Sequence, residues 1–256
     1  MSHLHQSDRM MATLQSSVAS SAQVSAWAQE RLGAGLAMIA GYVDAYGYIT
    51  FKTYLSFMSG NTTQTGSQIG QGDLAAAMPS LLAIVFLVIG VFTGTLLTHS
   101  GTHQSWRLRF GLVAALLAVI IGVTQLGSLA SGVGIATLSL AMGMMNTALS
   151  HVGAQSVNLT FVTGTLNSIG THLALAVKRA PLADAQGSWD THIRRAFLLA
   201  GVWASFLTGT LLSGAATPRF GVWVLLFPLL ILLALTVPGR TQSGSVRARS
   251  ICNHIE

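Results

Sequence analysis

Asp44 carries the sharpest chemical question in this sequence. It lies in an otherwise apolar stretch and is flanked by Tyr42, Tyr46 and Tyr48. A carboxylate at the centre of a bilayer costs about 3 kcal/mol on insertion scales, so it must face protein or water. Two roles suit it. It could titrate and so bind a proton, a cation or part of a solute. Alternatively, it is a structural carboxylate satisfied by tyrosine hydroxyls, a backbone N–H or Lys52. The first role would make Asp44 a proton relay. His151 is the second relay candidate, because an imidazole titrates near neutral pH; an interfacial histidine with one wet side is the plainer reading.

Two polar motifs come next. Phe57-Met58-Ser59-Gly60-Asn61-Thr62-Thr63-Gln64-Thr65-Gly66 is matched by Phe161-Val162-Thr163-Gly164-Thr165-Leu166-Asn167-Ser168-Ile169-Gly170. Glycine and small hydroxyl residues at this density break a helix, and Ser59, Asn61 and Thr163 are good N-cap residues. A helix broken inside a bundle presents backbone donors and a positive dipole end, which suits an anion or a carboxylate. The expected lining of a solute path is Ser59, Asn61, Thr62 and Thr63, with Thr163, Thr165 and Asn167 opposite and Asn146 beside them. The alternative is close helix packing, with the hydroxyls bonded back to their own helices.

No enzyme signature accompanies these residues. A phosphate-binding loop, a paired-histidine helix with a glutamate base and a G-x-S-x-G elbow are all missing. Cys252 is the single cysteine, so no cysteine-based metal site or intrachain disulfide forms. No metal, cofactor or enzymatic activity is expected.

The elements that must position these residues follow from composition. Charged residues are 8% of 256 and the AVILMFWYC class is 51%, against roughly 25% charged in soluble domains. Too little charge remains to solvate a surface, so the chain is read as an all-α membrane protein. Six stretches have a length and apolar character fit for a span: Leu32–Phe51, Leu74–Leu97, Phe110–Leu126, Val133–Leu149, Ala196–Leu212 and Phe220–Val237. Tyr54–Gln71 and Val157–Val177 are only moderately apolar and read as broken or re-entrant segments.

The net charge of +6 would suggest nucleic acid in a soluble protein. Here the cations lie between apolar runs and report topology instead. With a cytoplasmic N-terminus, Arg9, Arg31, Arg107, Arg109, Lys178, Arg179, Arg194, Arg195, Arg240, Arg247 and Arg249 fall inside. Arg219 falls outside, with Lys52 near the outer end of the first span. That asymmetry obeys the positive-inside rule. Counting both re-entrant segments as full spans would move Arg107 and Arg109 outside and weaken it. The expected location is a bacterial inner membrane, with both termini cytoplasmic. Residues 1–31 and 238–256 read as a flexible tail and a basic tail.

The halves 32–126 and 133–237 share further matches. Thr93-Gly94-Thr95-Leu96-Leu97 recurs as Thr208-Gly209-Thr210-Leu211-Leu212, and Arg109-Phe110-Gly111 as Arg219-Phe220-Gly221. Gly41-Tyr42-Val43-Asp44-Ala45 is loosely matched by Gly143-Met144-Met145-Asn146-Thr147. Each half carries an odd number of spans, three, so the second half is expected to be inverted. Gly90-x-x-x-Gly94 and Ser205-x-x-x-Gly209 are faces for helix-on-helix packing.

These motifs resemble a known family. Gly41–Ala45 followed by Met58-Ser59-Gly60-Asn61-Thr62 is similar to the YoaK-like bacterial multi-spanning membrane proteins, a domain of unknown function. The resemblance implies a cytoplasmic-membrane protein of about six spans and no established substrate. The expected function is a secondary transporter or permease for a small polar or anionic solute, coupled through Asp44. A non-transporting scaffold or sensor that binds a protein or lipid is the alternative. Membrane lipids, the unidentified solute and a second copy of the chain are the expected partners.

Overall fold

The computed structural model describes residues 27, 29–99, 105–126, 130–147, 151–152, 155–156, 162–185, 187 and 189–236. Both predicted tails otherwise lie outside these residues, although 29–31 already belong to the first helix. The chain is helical throughout its described core. The helices are α1 (29–51), α2 (Met58–Gly70), α3 (Leu74–His99), α4 (Ser105–Leu126), α5 (Ser131–Asn146), α6 (Val162–Val177), α7 (His192–Phe220) and α8 (Leu226–Thr236). A 3-10 turn, Gly221–Leu225, joins the last two. A two-residue antiparallel ladder pairs β1 (His151–Val152) with β2 (Gln155–Ser156).

Among the described residues, three stretches are long and apolar enough to cross a membrane: Leu74–Leu97, Arg107–Leu126 and His192–Thr236. The last is a hairpin, not one helix. Gly209 packs on the backbone of Tyr42, and the Tyr42 ring lies 5.2 Å from that of Phe227. A straight helix would separate Gly209 from Phe227 by about 27 Å. Gly221, at φ +54°, turns the chain back.

Several boundaries differ from the sequence expectation. α4 begins before Phe110 because Arg109 is buried rather than looped out, donating to the Thr147 carbonyl. α5 ends at Asn146 rather than Leu149, and that same donation covers its C-terminal turn. α6 is described from Val162, and the ladder at His151–Val152 and Gln155–Ser156 precedes the expected start at Val157. α7 runs from His192 to Phe220, longer than the expected Ala196–Leu212, because Thr191 caps its start by accepting from the N–H of Arg194.

Helix directions follow from a few contacts. Glu30 pairs with Arg194, and Gly41 backs onto Phe206, so α1 and α7 start at the same end and run together. Gly132 faces the Leu82 side chain, while Gly143 and Gly94 back onto Leu87–Gly90 and Met144–Thr147, so α3 and α5 also run together. Gly94 and Arg109 both meet Thr147, which brings the end of α3 to the start of α4. Gly111 at the start of α4 lies against Thr236 at the end of α8. One end of the bundle therefore holds the starts of α1, α4 and α7 and the finishes of α3, α5 and α8. It carries Arg31, Arg107, Arg109, Lys178, Arg179, Arg194 and Arg195, and is called the basic end below.

The two closest crossings are of one type. A Cβ on Gly41 would collide with the Phe206 carbonyl, and one on Gly209 with that of Met38; Gly90 and Gly143 stand in the same relation to Leu140 and Leu87. In each case backbone meets backbone because the side chain is a hydrogen, which is how helices gain dispersion contact in lipid, where the hydrophobic effect offers nothing. The apolar core they enclose includes Leu36, Ile39, Leu117, Ile120, Leu138 and Met142.

Candidate functional site: a cavity where two short helices begin

The linker between α1 and α2 folds back toward the middle of the bundle. Lys52, at φ 57°, ends α1 in the left-handed conformation. The buried Asp44 carboxylate then accepts the backbone N–H groups of Leu55 and Ser56, both at 2.8 Å on Oδ1. The Leu55 side chain fills the hollow that Gly47 leaves. Tyr54 stacks on Tyr48 with ring centroids 4.7 Å apart, and its carbonyl accepts from Asn61 Nδ2 at 2.7 Å. The Phe57 ring occupies the space where Gly60 has no Cβ. Gly47, Gly60 and Asn61 are thus the residues that allow this reversal.

The result is that α2 starts beside Leu87 and Val91, halfway along α3, and runs out to the turn before Leu74. Gly72, at φ +79°, closes that turn. α6 starts at the same place. A cavity of about 300 Å³ is bounded by Ser56–Ser59 at the head of α2, Leu87 and Val91 of α3, Asn146 and Thr147 at the end of α5, and Val162 and Thr163 at the head of α6. From there α6 runs to the basic end, where His172 Nδ1 lies 2.9 Å from His192 Nδ1 of α7. No side chain caps the N-terminus of α2, so the backbone donors of its first turn and its dipole are directed at the cavity.

Ser59, Asn146 and Thr163 are brought together in this wall. Asn61 and Thr165, which correspond in the two motifs, are buried in helix packing instead. Thr62 and Thr63 bond back to the carbonyls of Met58 and Ser59 at 2.7 and 3.0 Å, and with Asn167 they lie on exposed helix faces. Asp44 is not in the wall; its partner Ser56 is. The His151 side chain lies outside the described residues. Sequence reasoning missed Leu87 and Val91, which have no polar motif to mark them, and passed over Thr147 beside Asn146 at the end of the Gly143–Thr147 match. It also counted Arg109 as a loop cation, although its place one residue before an apolar span hinted at burial. Among the described residues no group of three His, Cys, Asp or Glu side chains is placed to hold a metal.

Outside the bundle core, the basic end is braced by ions. Arg195 binds Asp190 at 2.7 Å and Asp184 at 3.0 Å, while Arg194 lies 4.5 Å over the Trp189 ring. The Arg195 hydrogen bonds hold the Asp184 carboxyl below the ordinary carboxylate value.

Residues 32–238 match a protein family described as of unknown function, DUF1275. The chain belongs to the DUF1275 family. Two relatives show how closely. A UPF0700 transmembrane protein, RA0705, from Rhizobium meliloti (strain 1021) is 27% identical over 85% of this chain and 91% of its own length. A UPF0700 transmembrane protein, YoaK, from Bacillus subtilis (strain 168) is 24% identical over 81% of this chain and 92% of its own. No solved structure matches. The relatives' descriptions and the apolar helices together make this DUF1275 chain a transmembrane protein.

Proposed function

We propose that this DUF1275 protein is a secondary transporter or permease for a small polar or anionic solute, with no enzymatic step of its own. The supporting architecture is six spans, α1, α3, α4, α5, α7 and α8, with α2 and α6 as half-helices. Exchanging the halves leaves the packing unchanged: α1 on α7 becomes α5 on α3, and α2 on α3 becomes α6 on α7. The equivalent helices point in opposite directions, the arrangement of an inverted repeat. By the positive-inside rule the basic end is cytoplasmic, with both termini.

One observation carries the functional reading. The N-termini of α2 and α6 open onto a single cavity half-way across the bundle, walled by Ser59, Asn146, Thr147 and Thr163. Two positive dipole ends and several hydroxyl and amide groups there favour an anion or a carboxylate. Arg109, bound to the Thr147 carbonyl, adds a cation behind that wall. Asp44 couples protons in this reading. Protonation would weaken the two N–H bonds that hold the linker, and the cavity wall would shift at Ser56.

The test is uptake. Purified protein in proteoliposomes is screened against small carboxylates and inorganic anions, with a thermal-shift screen of the same set, since a ligand of the folded state raises its stability. Uptake of at least one solute, lost in Thr163→Leu, supports the proposal. A well-folded protein that neither binds nor moves any of them sinks it. The scaffold or sensor reading keeps one specific observation in its favour: the Asp44 carboxylate is spent on the protein's own backbone and is absent from the cavity wall.

A further inference from the structure

The exposed face of α2 has an unusual composition for a helix at membrane depth. Ser59, Thr63, Gln64, Ser67 and Gln68 line a groove of about 480 Å³ along it. That groove shares Phe57 and Ser59 with the central cavity, so the two adjoin at the head of α2. It leads to the turn at Gln71–Asp73, opposite the basic end. Hydroxyl groups can be satisfied by their own helix, as Thr63 is at the Ser59 carbonyl. The amides of Gln64 and Gln68 are less easily satisfied by a helix, and lipid offers them no partner.

The second half repeats this face position by position. Ser59, Thr63, Gln64, Ser67 and Gln68 correspond, at one constant spacing, to Thr163, Asn167, Ser168, Thr171 and His172. All five of these positions are polar in both copies. Thr163, Asn167 and Thr171 are exposed on α6, and His172 ends the series beside His192 at the basic end. Ser59, Thr63 and Ser67, like Thr163, Asn167 and Thr171, lie on the exposed side, away from the buried Asn61 and Thr165, so helix packing does not require their match; Gln64, Gln68, Ser168 and His172 are half-buried at its border.

We infer that the two matched faces line one water-filled route across the membrane, the α2 face on the outer side, the α6 face on the cytoplasmic side, with the cavity as its midpoint. The inference rests on the permease reading and specifies its path. A solute would enter along Ser67 and Thr63, meet the helix N-termini between Ser59 and Thr163, and leave past Asn167 and Thr171.

Thiol accessibility tests it without any knowledge of the solute. In a Cys252→Ser background, Thr63→Cys, Ser67→Cys, Asn167→Cys and Thr171→Cys are each treated with a charged, membrane-impermeant methanethiosulfonate. Val88→Cys and Leu211→Cys are the controls, 59% and 65% exposed but on apolar faces. Only a thiolate in water reacts, so the four test positions should react roughly a hundredfold faster than the controls. The α2 pair should react from outside in whole cells, and the α6 pair from the cytoplasmic side in inverted vesicles. Test positions no faster than Val88→Cys would show the faces covered by lipid or by a second copy and would overturn the inference. Labelling of all four from one side only would overturn it too. Labelling as expected with no uptake of any solute would leave the wet route standing and reject the permease reading alone.

Discussion

Asp44 Oδ1 accepts the N–H of Ser56 at 2.8 Å, and Ser56 forms part of the cavity wall. A carboxylate in α1 therefore sets the position of a residue at the candidate site without facing it. The second bond, from Leu55 at 2.8 Å, fixes the same linker. The structural and titrating roles first weighed for Asp44 are compatible: the group that holds the linker is also the group whose protonation would release it.

Asp44→Ala should remove the acceptor of two buried N–H groups and lower the folded yield sharply, by about 2–5 kcal/mol in stability. Asp44→Asn keeps an oxygen in place but loses the charge assistance, so its thermal unfolding should fall between the two. Uptake by Asp44→Asn should lose its dependence on pH. Unfolding curves in detergent beside uptake at several pH values would decide; a fully stable Asp44→Ala protein contradicts the linker role.

Gly41→Ala, Gly143→Ala and Gly209→Ala should each destabilise the bundle by about 1–3 kcal/mol, because the new methyl meets a backbone carbonyl that cannot move aside alone. Gly66→Ala and Gly122→Ala, with nothing within 4 Å, should be neutral or slightly stabilising. The measurement is the melting temperature of each purified variant. Equal effects in the two sets would mean that the crossings are looser than described.

Gln71→Cys should be labelled from outside whole cells, and Ala185→Cys only after the cytoplasmic face is exposed. Both residues are exposed, at opposite ends of the bundle. The prediction follows from the cations gathered at the basic end. The reverse pattern would invert the whole topology.

Asp184→Asn should lower the stability of the basic end at neutral pH, with an effect that vanishes in acid. Arg195 holds the Asp184 carboxyl below its ordinary value. A depressed pKa in the folded state means that the stabilisation is present above the unfolded value, near 3.8, and is lost as pH falls through the folded one. Melting temperatures of the parent and variant should differ at pH 7, and the difference should shrink progressively as the pH is taken below the unfolded value.

The sequence by itself determined the membrane class, because 8% charged residues cannot solvate a surface of this size. It also determined roughly where the helices fall and that the two polar motifs resemble one another, since span length and recurrence of a pattern are properties of order along the chain. Ser59, Asn146 and Thr163 were legible as inward-facing residues on a related ground: polar groups in an apolar context avoid lipid. The tertiary structure decided which polar residues share a space. Asn61 and Thr165 sit in the same motifs but turn into packing, because a helix sends positions two apart to different faces. It alone put Leu87, Val91 and Thr147 in the wall, since apolar and lone residues carry no local mark of the cavity they border. It alone showed Asp44 bound to Leu55 and Ser56, a contact made by a chain reversal that Gly47, Lys52 and Gly60 permit but do not announce.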